Sequence, residues 1–143
     1  MTITIYTDGA CSGNPGIGGW GGVILFPNKN PIYLNGGSNN TTNNKMELTA
    51  AIEVLKYLDN PQNIKLYTDS KYVMNGIESW IKNWKKNGWK TTANKPVKNK
   101  ELWEILDEQI TKHEIKWIWV KGHDGNEHNE KADFLARKYI EES

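Results

Sequence analysis

Two short words constrain this chain more than anything else in it. They are IYTDG, which carries Asp8, and LYTDS, which carries Asp69. In each, Thr, Tyr and a branched apolar residue form a strand-like run, and an acid directly follows it. Side chains at the carboxyl ends of parallel strands share one crevice, where open α/β sheets place their sites. A fold that pairs these strands in parallel therefore brings Asp8 and Asp69 together.

The order of elements favours that pairing. Residues 2–7 read as a strand, followed by a Gly-rich stretch through Gly22; residues 20–26 and 32–36 read as two more, with turn chemistry at 27–31 between them. The three make an antiparallel meander. Asn and Thr crowd residues 39–44, ending in residue types that cap helices. From Lys45, Leu48, Ala51, Ile52, Leu55 and Leu58 fall at helical spacing. Residues 64–68 form the strand before Asp69, residues 71–84 are helical in one or two pieces, and 87–99 read as a loop. Residues 100–112 are helical, with Leu102, Ile105, Leu106 and Ile110 on one side. IKWIWV, 115–120, reads as a strand buried on both faces. A helix from about Asn129 to Glu141 ends the chain. The expectation is one α/β domain over residues 1–143, without internal repeats.

Two further acids sit on helices that follow these strands. Glu47 falls in the first turn of the helix that opens near Lys45, and Asp133 about one turn into the last helix. Taken singly, each has a bland explanation, since helix dipoles favour first-turn acids and turns favour Asp. Four carboxylates in one crevice raise one another's pKa, and a hard divalent cation with oxygen ligands removes the conflict. Two such ions, about 3.5–4 Å apart, can hold both the attacking water and the leaving oxygen of a phosphodiester. The expected cofactor is Mg²⁺, two ions per site in the substrate complex, with Mn²⁺ as a substitute. IYTDGACSGNPG adds a run of small residues that lets backbone approach a ligand closely.

Formal net charge is only +1, yet it is unevenly spread. Residues 80–100, WIKNWKKNGWKTTANKPVKNK, hold seven Lys and no acid. The rest of the chain has eleven Lys or Arg against seventeen Asp or Glu, a net −6. This is a basic arm on an acidic body. Lys82, Lys85, Lys86 and Lys90 alternate with Trp80, Trp84 and Trp89. Ammonium groups neutralise phosphates and indoles pack on sugars and bases. The plainer alternative is that the Trp residues anchor the arm to the core while the lysines form a solvated face. The one cysteine, Cys11, precludes an intramolecular disulfide, and no apolar run reaches the ~18 residues a membrane span needs. With no secretory leader pattern, a cytoplasmic monomer without an obligate protein partner is expected.

YTDG with Cys11 and Asn14, TTNNKMEL, YTDS, WKKNGWKT with PVKNKELW, VKGH and NEKAD follow in this order. Together they resemble the bacterial-type, type 1 ribonuclease H family from Thr2 to about Arg137. The resemblance implies a five-stranded mixed sheet, with an antiparallel three-strand meander plus two parallel strands, flanked by helices. It implies metal-binding acids at Asp8, Glu47, Asp69 and Asp133, and a catalytic loop histidine at His123. Hybrid-binding positions fall on Cys11, Asn14, Asn43 and Asn44. Thr42, Thr92 and Asn99 would hold a DNA phosphate, Trp80 and Trp84 would face DNA sugars, and Lys85, Lys86, Trp89 and Lys90 belong to the family's basic protrusion. Asn40 and Lys71 depart from the family's usual Arg and uncharged residue. The implied activity is hydrolysis of the RNA strand of an RNA–DNA hybrid, leaving 5′-phosphate and 3′-hydroxyl ends. A hybrid-binding module with weak catalysis, or a nuclease of the same fold acting on DNA, are the alternatives.

Overall fold

The computed structural model describes residues 1–122 and 125–143. A five-stranded sheet runs in the order β3-β2-β1-β4-β5. The strands are β1 (Thr2–Gly13), β2 (Gly16–Leu25), β3 (Ile32–Thr41), β4 (Asn63–Thr68) and β5 (Glu114–Trp119). β1–β2 and β2–β3 pair antiparallel, while β1–β4 and β4–β5 pair parallel. The helices are α1 (Asn43–Tyr57), α2 (Lys71–Asn75), α3 (Ile81–Lys86), α4 (Lys100–Lys112) and α5 (Glu127–Glu141). A π-helical turn, Gly76–Trp80, joins α2 to α3.

Strand alternation divides the core in two. Ile3, Ile5, Ile64 and Leu66 lie in one buried cluster with Leu48, Ala51, Ile52 and Leu55 of α1 and Trp103 and Leu106 of α4. Tyr6 and Val23 join Ala132 and Leu135 of α5 in the other. The helical stripe expected in α1 is buried throughout. In α4 only Leu106 of the expected stripe is fully buried, and it is joined by Trp103, whose indole N–H donates to the Tyr72 hydroxyl at 3.0 Å.

Several boundaries differ from the sequence expectation, each for a tertiary reason. β1 does not stop at Thr7: it continues through the glycines to Gly13 because β2 pairs with it residue by residue as far as Gly16. β3 likewise runs on to Thr41, opposite Gly16. Pairing outweighs the weak strand propensity of Gly and Asn. α1 begins at Asn43, two residues before Lys45, because the Thr42 side chain caps it by accepting from the Lys45 N–H at 3.2 Å. β5 is not buried on both faces. It is an edge strand in which Glu114, Lys116 and Trp119 are exposed.

At the opposite end of the sheet from Asp69, a buried imidazole fastens three elements. His113 Nδ1 accepts from the Gln62 N–H at 3.1 Å, and Nε2 lies 3.3 Å from the Leu55 carbonyl. This pairing needs the neutral ring with its proton on Nε2. Burial, then the neighbouring Lys112 charge, lower its pKa from 6.5, and the Leu55 contact only partly opposes them. The folded state therefore binds this proton less readily than the unfolded chain. The stability involved is complete above pH 6.5 and is lost as pH falls through the folded-state value. We expect urea-unfolding free energy to fall on acidification below pH 6.5. His113→Gln should cost about 1 kcal/mol at pH 7 and flatten the dependence between pH 6.5 and 5. An unchanged slope in that variant would exclude His113 as its source.

Candidate active site

Parallel pairing of β1 with β4 ends at Thr7 and Thr68. Asp8 and Asp69 are the next residue of each strand path, which places both acids at the same end of the sheet, as the two sequence words imply. Asp8, however, lies inside β1 rather than after it. Its side chain alternates onto the α5 face with Tyr6, while Gly9 faces α1.

Gly9 explains how Glu47 arrives. A Cβ at residue 9 would stand 2.5 Å from the Glu47 backbone nitrogen. Only glycine lets the backbone of α1 lie so close on β1. Glu47 is thus delivered from the second turn of α1, not from the first. On the other face, a Cβ at Gly21 would run into the Ala132 carbonyl of α5. That close contact seats α5 on the sheet with Asp133 beside the crevice. Asp133 lies nearly two turns into α5, since the helix starts at Glu127 behind its Asn126 cap rather than at Asn129. The small residues around Asp8 thus serve helix–sheet approach, a role not foreseen from the sequence.

Carboxylate oxygens of Asp8, Glu47 and Asp69 lie within 4.8 Å of one another. Asp8 and Glu47 are only 5% and 6% exposed, so water screens them little. Burial first, then the charge of Asp69 and the hydrogen bond and charge of Asp133, push the Asp8 pKa up to about 9. The Gly9 N–H, 3.0 Å from Asp8 Oδ1, opposes this rise. Burial, then the charges of Asp8 and Asp69, raise Glu47 well above 4.5 as well. Glu47 Oε1 is buried without a hydrogen-bond partner among the described residues. An orphaned carboxylate oxygen facing two other acids fits a hard divalent cation, whose oxygen ligands these groups would supply. Asp133 is the outlying fourth acid. It reaches Asp8 by a side-chain hydrogen bond, while its Oδ2 accepts from Arg137 Nε at 2.9 Å. Arg137 lies one helical turn after Asp133, a spacing visible in the sequence as an i, i+4 acid–base pair.

The expected nucleic-acid contacts fall into two groups. Cys11, Asn14 and Asn43 are joined by the β1–β2 hairpin and the start of α1. Cys11 Sγ lies 3.3 Å from the Thr41 carbonyl, and Asn14 Oδ1 accepts from the Asn43 N–H at 3.3 Å. Asn44 follows on α1 and is half-buried. The arm forms the second group. Trp80, Trp84 and Trp89 meet in succession as tilted ring pairs at 5.8 and 6.2 Å, and Trp84 also meets Trp103 at 5.4 Å. These indoles anchor the arm to the core while remaining half-buried, so the anchoring reading holds alongside any ligand-facing role. Lys85 pairs with Asp107 at 3.3 Å, whereas Lys86, Lys90 and Thr92 are exposed. Asn99, with a φ of 60°, donates to the Tyr72 hydroxyl at 3.0 Å. It lines a groove of about 480 Å³ with Lys45, Pro96 and Lys100. His123 lies outside the described residues.

A raised carboxyl pKa destabilises the metal-free fold as pH climbs past the ordinary value, because the unfolded chain ionises first. Replacing one such acid by its amide should relieve that conflict. We expect Glu47→Gln to raise the metal-free melting temperature at pH 8 by a few degrees, about 1 kcal/mol. The same variant should lose most of the stabilisation that added Mg²⁺ gives the unsubstituted chain. Calorimetric scans with and without Mg²⁺ test this, and a destabilised Glu47→Gln chain would contradict it.

Comparison with known proteins agrees with this architecture. The RNase H family model matches residues 1–141. A ribonuclease H of Dechloromonas aromatica is 56% identical over 142 residues, covering 99% of this chain and 95% of that protein. One from Ehrlichia ruminantium is 59% identical over 138 residues, covering 96% and 94%. Among solved structures, LC9-RNase H1, described as a type 1 RNase H with the type 2 active-site motif, superposes with a TM-score of 0.84 at 29% identity, covering 96% of this chain and 71% of that one. LC11-RNase H1, solved in complex with an RNA/DNA hybrid, shares the fold with a TM-score of 0.72 at 23% identity, covering 98% and 97%. With its mixed sheet, its grouped acids and a family match over nearly its whole length, this chain belongs to the ribonuclease H family.

Proposed function

We propose that this chain hydrolyses the RNA strand of RNA–DNA hybrids at the crevice of Asp8, Glu47, Asp69 and Asp133, leaving 5′-phosphate and 3′-hydroxyl ends. The observation that carries this reading is the acidic triad, two of its members buried, with oxygens within 4.8 Å of one another, in a chain of this family. Asp8 and Glu47 are driven toward protonation when no cation is near, so the site is built for a charge it does not itself contain. Two bound Mg²⁺ ions would supply that charge, activating water and stabilising the departing 3′-oxygen. Asp8, which faces Glu47, Asp69 and Asp133 at once, would hold the metal together with them. By family resemblance, His123 takes the role of proton transfer or of easing product exit.

The chain's other groups would bind and orient the duplex. The amides of Asn14, Asn43 and Asn44, with Cys11, would read 2′-hydroxyls across a minor groove, the feature that separates RNA from DNA. Thr42, Thr92 and Asn99 would hold a phosphate of the DNA strand. The exposed lysines of the arm, Lys86 and Lys90 among them, would neutralise further phosphates, with Trp80 and Trp84 against the sugars. The acidic remainder of the chain repels a polyanion elsewhere and so favours this one docking face.

The test is a labelled RNA–DNA hybrid incubated with the purified protein in Mg²⁺ and in EDTA. Cleavage of the RNA strand alone, abolished by EDTA, is expected. Asp8→Asn should keep hybrid binding within a few-fold and lower kcat by about 10³-fold or more. Full activity in that variant would overturn the assignment. Binding without metal-dependent cleavage would favour a hybrid-binding module, and preferential cleavage of duplex DNA a different nuclease.

A further inference from the structure

We propose that Trp119 and Gly122, at the end of β5, are positioning residues for Asp69. The inference rests on the metal reading above and deepens it. β5 contributes no acid to the triad, yet its last residues close around one. Trp119 Nε1–H donates to the Asp69 backbone carbonyl at 3.1 Å. The next residue, Val120, donates its N–H to the Thr68 carbonyl at 2.9 Å, continuing the ladder past its last strand pair, Thr68 with Trp119. The chain then returns toward the carboxylate itself. A Cβ on Gly122 would stand 2.8 Å from Asp69 Oδ2.

Asp69 is thus held at two points. Its backbone is fixed through the carbonyl, and one side of its carboxylate is bounded by a backbone with no side chain. Core packing does not account for Trp119, which is 41% exposed. Lys71, two residues after Asp69, places its ammonium 5.4 Å from the indole centroid. The indole is therefore gripped between an ammonium and a carbonyl that both belong to the Asp69 segment. An indole offers a single donor and no acceptor, so its one bond fixes its orientation. Groups that orient a metal-binding carboxylate typically change metal affinity by about 10–100-fold when removed, though a backbone contact acts less directly than a bond to the ligand oxygen. Lys71 thereby braces the ring that fixes Asp69.

Two substitutions separate this role from simple packing. Trp119→Phe keeps an aromatic ring under Lys71 and removes the N–H. Gly122→Ala adds the Cβ against Asp69 Oδ2, and the carboxylate, the more flexible partner, must turn away. Mg²⁺ is titrated into the isotope-labelled chain without nucleic acid, following the amides around residues 8, 47 and 69; kcat and KM are then measured on a hybrid. Each variant should need about three- to tenfold more Mg²⁺ for half-saturation. KM for the hybrid at saturating Mg²⁺ should stay within twofold, and thermal unfolding within a few degrees. If Trp119→Phe does not fold, Gly122→Ala decides alone. Half-saturation within twofold of the unsubstituted chain in the folded variants would overturn the positioning role and leave the metal reading standing. Absence of any Mg²⁺ response in the unsubstituted chain would overturn both.

Discussion

Carboxylates gathered within 4.8 Å of one another, two of the three buried, cannot all carry charge unless a cation joins them, and the arrangement of this protein follows from that conflict. Desolvation makes each negative charge costly, and proximity makes each worse for its neighbours. The fold nonetheless holds Asp8 and Glu47 almost dry. A structure that maintains such a cluster gives up stability for a binding site, because acids optimised for stability alone would face solvent or a basic partner. Asp133, at the margin of the cluster, has such a partner in Arg137.

Holding the cluster together requires three kinds of backbone proximity. Parallel pairing of β1 and β4 places Asp8 beside Asp69. The absence of a side chain at Gly9 admits α1 and with it Glu47, and the absence of one at Gly21 admits α5 and with it Asp133. The π-helical turn at Gly76–Trp80 then carries the chain into the arm, where three indoles bind the lysine-rich segment to Trp103 and so to the same core that supports α1. The acidic crevice and the basic arm therefore rest on one core.

The fold class and the acids were legible in the sequence because they rest on local pattern. Strand alternation before Asp8 and Asp69, and the helical stripe from Leu48 to Leu58, are signals carried within a few residues. What was not legible depends on partners distant in the chain. Glycine-rich residues 9–22 look like a loop until β2 is seen to pair with β1 along its length. The run IKWIWV looks doubly buried, yet its place at the sheet edge leaves Trp119 half out in water and free to serve Asp69. Gly9 and Gly122 carry no periodicity, so their contacts with Glu47 and Asp69 could be found only in three dimensions.

An acidic cluster of this kind is electrostatically frustrated until divalent metal binds. Carboxyl ¹³C titration of Asp8 tests it most directly. Without divalent metal the account predicts a midpoint well above neutrality, in the region of about 9. Saturating Mg²⁺ should move it below neutrality, because the bound cation favours the ionised form. A metal-free midpoint near the ordinary value of about 4, unmoved by Mg²⁺, would contradict the account.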